Sequence, residues 1–533
     1  MTGPVPEPGA ASLSPAAGAG VGIAREIPKE QKKKYYGKTA KAGALWSVVR
    51  QGGHELIAIP TSMVMARLLS PADFGIAAAA TFFTLLATRL TQFGFNAALV
   101  RIKVIRPEHL SSVFVVNLAM GAVTYLVLYS GAPLVGQFLR SPEAGNLLPV
   151  AALIFLIGPF GTVPAALIAR NMRFRHATVT EWSDAILSAS VSIVMALRGF
   201  GYWSIVCGQL SGAALRVLLK AYLSGWVPSL RCSRQALREL LSFGLGLQTK
   251  RLLEFAAYNL DNLVVGRVLG MTALGFYDKA FTTMNRVVNR LTLGQAYFRI
   301  FSIIHEEPER FRRAYSRLIL TITLIGLPAF TGCIVVAHPL FMVLYGDKWA
   351  PAVLPFQLLC AGGMLKLLNA YASQANEAVG NVWPQARRQA IGAVLVVAGA
   401  WTGSRYGGVT GAALGVAVAM MILTASMQAL VRRATGLSWR ALLAPQVPAA
   451  VCSGLLAVLL LAVERGLYAL TAEPAPLQLL ILQTVAGALF YFGFVVFSPF
   501  PSVRDIVAET IEDTLPPRVV RLLGWRRGRG QQP

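Results

Sequence analysis

The sequence predicts an all-α polytopic membrane protein of about fourteen transmembrane helices. Three observations carry that expectation. The 533-residue chain is 55% hydrophobic and only 14% charged, with a mean hydropathy of +0.57, whereas a soluble domain is about one quarter charged. Apolar runs of about 20 residues, enough to cross a hydrocarbon core about 30 Å thick, recur along its length. Lys and Arg punctuate those runs at intervals, as in proteins whose cytoplasmic loops are basic. The net charge of +25 therefore does not read as a nucleic-acid interface, which would gather its cations on one water-exposed face among aromatics.

Taken in order, residues 1–36 are rich in Pro, Ala, Gly and Ser and lack the continuous apolar core of a signal peptide; a disordered cytoplasmic tail is predicted. The GAGVG within it follows no strand and carries no nucleotide-loop signal. Helices are expected near 42–66, 74–98, 110–130, 146–168, 178–197, 202–223, 240–265, 273–298, 316–344, 352–378, 387–404, 408–430, 445–463 and 476–498. Short joints separate them, such as SPAD (70–73), RSPEAG (140–145), YGDKWAP (345–351) and EPAP (473–476). With the N-terminus inside, alternate loops hold most of the 49 Lys and Arg, from Arg170/Arg173/Arg175 to Arg432/Arg433/Arg440. One missed helix would invert that alternation, so an even number with both ends cytoplasmic is expected.

An internal repeat divides the chain. Arg67, Leu69 and Gly75 after the first span recur at the same spacing as Arg267, Leu269 and Gly275 after the seventh. Arg89-Leu90-Thr91 then reappears as Arg290-Leu291-Thr292, displaced by one residue. Glycine-rich openings also recur at 199–214 and 407–419. The pattern predicts a lobe at 37–237 (helices 1–6), a second at 238–435 (helices 7–12), two extra helices within 436–500 and a basic cytoplasmic tail at 501–533. The copies are offset by an even number of spans, which implies a pseudo-twofold axis along the membrane normal, as in parallel-repeat transporters. Packing through small residues accounts for the glycines alone but not for the shared Arg spacing.

Intramembrane charge concentrates on equivalent helices of the two copies. Span one carries Arg50, His54 and Glu55, and span two carries Arg89 beside Thr81, Thr84 and Thr88. Span seven carries Lys250, Arg251, Glu254 and Asp261; span eight carries Asp278, Lys279, Arg286 and Arg290, the last three with Thr283 on one helical face. Each such charge costs roughly 2.5–3.5 kcal/mol at a bilayer centre on insertion scales. They are therefore expected to face a hydrated interior. Cations exceed anions there, so an anionic ligand is expected, phosphate or pyrophosphate above all, because guanidinium forks match their oxygens. Arg50, Arg89, Lys250, Arg251, Lys279, Arg286 and Arg290 are the candidate substrate-binding cations. Glu55, Glu254, Asp261 and Asp278 are candidates for coupling an ion or balancing charge. Structural pairing competes with each of these roles: Glu254 with Lys250 or Arg251, Asp278 with Lys279, Asp261 with Arg67 or Arg267, while Lys366 and Arg216 reach toward an interface. Arg286 and Arg290 have no acidic neighbour on their own helix.

Catalysis is not expected. The sequence has no HExxH, GxSxG or Walker A motif, and its five cysteines lack metal or disulfide spacing. No cofactor or metal is anticipated beyond an H⁺ or Na⁺ gradient.

ARLLSPADFG (66–75), ARNMRFRHAT (169–178) and YNLDNLVVGRVLGMTALGFYDKA (258–280) resemble segments of Wzx-type polysaccharide flippases. Their superfamily also holds multidrug (MATE) exporters and the lipid II flippase. The resemblance covers about residues 38–435 and is nearest the exopolysaccharide exporters. It implies a V-shaped bundle of two six-helix lobes in the bacterial inner membrane. It also implies passage of undecaprenyl-pyrophosphate-linked oligosaccharide between leaflets by alternating access, with a polysaccharide polymerase and chain-length proteins as partners. A lipid II flippase, a MATE-like drug exporter and a non-transporting scaffold of polysaccharide synthesis are the alternatives. An excess of cavity cations speaks against cationic drugs, and inward-facing charge on both copies speaks against a scaffold.

Overall fold

Proline, serine and glycine cut the apolar sequence into helices. The computed structural model of the chain describes residues 29–91, 99, 100, 102, 105–233, 245–292, 296–471 and 474–505; the side chains of 29–45, 47, 48, 245–251 and 296 are outside that description. In order the helices are α1 (Lys29–Leu68), α2 (Pro71–Thr91), α3 (Pro107–Leu139), α4 (Pro142–Ala151), α5 (Ile154–Ile157), α6 (Pro159–Arg170), α7 (Phe174–Leu197) and α8 (Trp203–Ser224). Then come α9 (Leu245–Leu269), α10 (Met271–Leu291), α11 (Ala296–Ile304), α12 (Pro308–Val335), α13 (Ala337–Tyr345), α14 (Val353–Ala378), α15 (Val382–Thr435), α16 (Trp439–Leu443), α17 (Val447–Leu470) and α18 (Pro476–Val496).

The joint between α1 and α2 shows how local chemistry sets a boundary. Pro71 opens α2, where its missing N–H costs nothing. Asp73 accepts from the Ser70 amide at 2.9 Å and hydroxyl at 2.6 Å, while the Asp73 amide donates to Ser70 Oγ at 3.2 Å, a reciprocal cap. The other Asp73 oxygen accepts from the Tyr202 amide at 3.0 Å and ties the start of α8 to this corner.

Helices up to α8 pack on one another, α1 on α7, α7 on α8 and α3 on α4, and those from α9 do likewise, α9 and α14 on α15 and α12 on α14 and α17. The two groups meet chiefly where α2 crosses α10. The repeat glycines lie at that crossing: a Cβ on Gly75 would overlap the Met271 carbonyl, and one on Gly275 would overlap the Pro71 carbonyl. That reciprocity is what a twofold relation between the repeats produces, and it explains why both copies keep glycine there.

Among the described residues eight helices are long and apolar enough to cross a bilayer, nine if the pair 142–157 and 159–170, bent by 44°, is one span. The all-α polytopic class expected from the sequence holds. The larger expected number counts in addition α1, α7, α9 and α10, whose charges lower their hydropathy, and both arms of α15. That helix breaks at Gly407 and Gly408, the latter at φ +57°, so 382–406 and 409–435 fold back on each other.

Several boundaries differ from expectation, four of them instructively. α1 begins at Lys29, so residues 29–36 are helical rather than part of a disordered tail. The single helix expected at 146–168 is three pieces, with Pro159 starting the last. α10 stops at Leu291 with Thr292 extended, short of the expected 298. The expected 316–344 helix divides at Val336, and Pro339 lies in the first turn of the second piece. Residues 1–28 and 506–533, with most of both expected tails, lie outside the described residues.

Candidate functional site

α10 presents Lys279, Thr283, Arg286 and Arg290 in steps of 4, 3 and 4, one face of a helix. That face meets α1 at two levels. At the first, near the α2–α10 crossing, Lys279 is only 4% exposed. Its ammonium donates to Ser62 Oγ of α1 at 2.9 Å. It also sits 4.3 Å from the Tyr345 ring centre, 4.5 Å from Phe74 and 5.4 Å from Trp349. Three desolvated π faces compensate the buried charge. Lys279 is thus held in an aromatic cage between the repeats and is not the open cavity cation expected from its spacing.

Neighbouring bonds fasten the same level. Trp349 Nε1 donates to the Ala66 carbonyl at 2.9 Å, and Lys348 Nζ donates to the carbonyls of Arg67 at 2.8 Å and Leu69 at 2.7 Å. These carbonyls lie in the last turn of α1 and at the residue after it, where a helix leaves them unsatisfied and a cation is favoured. Arg67 donates in turn to the Val343 carbonyl at 2.9 Å.

At the second level, Arg290 Nη2 lies 2.5 Å from Glu55 Oε1, with about a third of each side chain exposed. Arg290 is expected to serve the cavity because it has no acidic neighbour on its own helix; its partner comes from α1. Arg50, another expected ligand-binding cation, pairs with Glu181 at 2.9 Å, and Arg216 pairs with Asp184 at 2.6 Å rather than reaching for an interface. Arg89 is exposed in the last turn of α2.

Between the two levels stands Arg286. It is partly exposed, and among the described residues its guanidinium has neither a hydrogen bond nor an ion pair. Of the candidate cations with described side chains, it combines the α10 face with an unneutralised charge. The side chains of Lys250 and Arg251 lie outside the described residues, so their expected pairing with Glu254 does too.

The remaining acids lie in the second group of helices. Asp261 is 1% exposed and accepts from Tyr277 Oη at 2.7 Å and from the Asn262 amide at 3.0 Å. The expected tether to Arg67 or Arg267 is absent: Arg267 lies over the Phe138 ring at 5.7 Å. Lys366 also faces inward instead of snorkelling. It donates to Asn285 Oδ1 at 2.8 Å and lies over Tyr258 and Phe281. Asp261, Tyr258 and Lys366 border a void of about 20 Å³, room for one water. Glu254 accepts from Ser373 Oγ at 3.5 Å. Asp278 is half-buried and, among the described residues, its carboxylate has no ion pair with neighbouring Lys279, whose ammonium is turned to the cage.

Sequence reasoning missed the cage. Trp349 and Tyr345 were read as part of a joint, YGDKWAP, although two aromatics flanking a glycine and a lysine in a short loop were a signal of a packed corner. No group of three or more His, Cys, Asp or Glu among the described residues could hold a metal ion.

Residues 64–354, more than half of the chain, match the family of polysaccharide biosynthesis proteins. The chain belongs to that family. This family member is 25% identical over 338 residues to the lipopolysaccharide biosynthesis protein WzxC of Escherichia coli (strain K12), covering 61% of this chain and 67% of that one. It is 29% identical over 320 residues to the succinoglycan biosynthesis transport protein ExoT of Rhizobium meliloti (strain 1021), covering 59% and 64%. About a third of each relative's length is therefore unmatched. Among solved structures, the lipid II flippase MurJ in an inward closed conformation is similar with a TM-score of 0.67 and 14% identity, over 87% of this chain and 100% of that one. An inward-facing multidrug resistance MATE family transporter of the MOP superfamily is similar with a TM-score of 0.53 and 15% identity, over 72% and 94%. At such identities the likeness is one of fold. The resemblance to Wzx-type proteins drawn from the sequence holds, and the fold is like that of these two transporters.

Proposed function

We propose that this family member carries a lipid-linked, pyrophosphate-bearing oligosaccharide, with undecaprenyl as the lipid, from the inner to the outer leaflet of the bacterial inner membrane. Family membership, the polytopic helical fold and the transport role printed for ExoT support the reading. The observation that carries it is Arg286: a guanidinium without a partner among the described residues, on the same face of α10 as Lys279 and Arg290 and between them. Leaving such a charge unpaired inside a membrane protein is costly unless a ligand or water meets it. A phosphate oxygen pair fits its planar fork.

With both termini cytoplasmic, α1 runs outward, and the Lys279 cage lies at the outer end and Glu55–Arg290 toward the inner half. The closed outer contact then gives a state loaded from the cytoplasm. A proton or Na⁺ gradient drives the cycle in this reading, with Asp261, Asp278 and Glu254 as the coupling acids. The chain acts by binding and movement, without making or breaking bonds. A polymerase and chain-length proteins act next on the delivered unit.

The test is Arg286→Glu and Arg286→Lys in a strain lacking the native gene, scored for exported polymer at matched membrane levels of a tagged protein. Arg286→Glu is expected to abolish export and Arg286→Lys to retain part of it. Normal export by Arg286→Glu would overturn the reading.

A further inference from the structure

A second space opens within the first group of helices, beside the Lys279 cage. It measures about 280 Å³ and lies between α1, α7 and α8, with Phe74 of α2 as one wall. Its polar lining consists of His54, Thr61 and Ser62 from α1, Ser188 and Ser192 from α7, and Gln209 from α8. No carboxylate, ammonium or guanidinium lines it. That neutrality is notable beside a site rich in charge, since Asp184–Arg216 and Arg50–Glu181 pair on the same helices.

Several of these groups have unused hydrogen-bonding capacity. Among the described residues, the Gln209 amide, the Ser188 hydroxyl and the His54 imidazole have no hydrogen-bond partner in the chain. Polar groups facing a cavity are ordinarily met by water or a ligand. An amide, hydroxyls and an imidazole supply both donors and acceptors, and Phe74 supplies an apolar face. The combination suits a molecule that is neutral, rich in hydroxyls and apolar on one side.

Size narrows the ligand further. The volume lies just below the range typical of drug-sized sites and accommodates one sugar ring with its hydroxyls. The cavity also shares a wall with the cation row. Ser62 lines it and accepts from Lys279, and Phe74 lines it and carries the Lys279 ammonium. Arg286 stands seven residues along α10 from Lys279, about 10 Å. A sugar in the cavity and a phosphate at Arg286 are thus within the reach of one glycosyl pyrophosphate.

We propose that this cavity is a subsite for one uncharged pyranose of the lipid-linked saccharide, occupied while its pyrophosphate lies against Arg286. The proposal rests on the transport reading and assigns the sugar end of that ligand to α1, α7 and α8. It places glycan selectivity in the first group of helices and charge recognition on α10.

The experiment uses the purified full chain and two probes, undecaprenyl pyrophosphate without sugar and undecaprenyl pyrophosphate carrying one hexose (glucose and galactose in turn). Gln209→Leu and Ser188→Ala each remove one hydrogen-bonding group, and Ala189→Phe fills the cavity from α7. Binding of the hexose-bearing lipid preferred by the native chain is expected to weaken about 2–10-fold for each lost hydrogen bond, and further for Ala189→Phe, with the sugar-free lipid unaffected. Equal weakening of both lipids, or no change in either, would overturn the subsite and leave the transport reading standing. Failure of the native chain to bind either lipid would overturn that reading, and the subsite with it.

Discussion

The two levels at which α10 meets α1 are built differently. Near the Gly75–Gly275 crossing, backbone lies on backbone, Trp349 is completely buried, and Lys279 is compensated by rings and one hydroxyl. At Glu55–Arg290 a single ion pair, about one third exposed, joins the same two helices. The first contact is dry and large, and water would have to enter it against packed aromatics. The second is small and partly exposed, and exposed ion pairs contribute only about 0–1 kcal/mol. In the proposed transport cycle, this conformation has its strong closure at one end and a loose clasp at the other.

The largest expected effect comes from removing the keystone of the dry contact. Trp349→Ala deletes a buried indole that also donates to the end of α1 and forms part of the Lys279 cage, and large-to-small changes of this type cost about 3–5 kcal/mol. Melting of the detergent-solubilised variant is expected to fall clearly below that of the native chain. A variant that melts like the native chain would mean that the two levels are equally weak.

A smaller effect is expected where side chains meet backbone. Gly75→Val or Gly275→Val places a Cβ on a carbonyl oxygen of the other repeat, with no flexible neighbour to move aside. Overpacking of this sort costs about 1–3 kcal/mol. Ala66, fully buried in the native chain, is the reporter. An Ala66→Cys thiol is expected to react with a membrane-impermeant maleimide faster when Gly75→Val is present. Unchanged labelling would show that the crossing does not gate access.

What the sequence made legible follows from how far each signal travels along the chain. Helices announce themselves within 20 residues, and the Gly75/Gly275 repeat was visible because both copies keep a similar local string. Partnerships between helices left no such trace. Glu55 and Arg290 are 235 positions apart, and nothing in either segment names the other. Lys279 looked like a cavity cation because its helical spacing matches Arg286 and Arg290; its cage is assembled from α2, α13 and the turn after α13. Helical periodicity reports which residues share a face, whereas burial and pairing depend on what that face meets. Arg286 and Lys279 share one face and have opposite environments.

The smallest effect, and the one that sharpens the contrast most, concerns the clasp. Glu55→Gln or Arg290→Gln should change stability by less than about 1 kcal/mol, since both groups are partly exposed. The same substitutions should nevertheless alter the balance between states, because this pair joins α1 to α10 on the weakly closed side. Raising salt screens an exposed pair over about 8–10 Å at ordinary ionic strength and leaves a caged ammonium nearly untouched. Thiol labelling of a cysteine placed beside the pair, at Ile59, should therefore rise with salt in the native chain and be insensitive to salt in Glu55→Gln. Labelling of Ala66→Cys should be indifferent to salt in both. Reversing the charges, Glu55→Arg with Arg290→Glu, restores the salt response if the ion pair is the clasp, whereas either reversal alone sets like charges against each other and opens that level permanently. If the double reversal behaves like the single ones, the pair is incidental and other contacts hold α1 to α10 at that level.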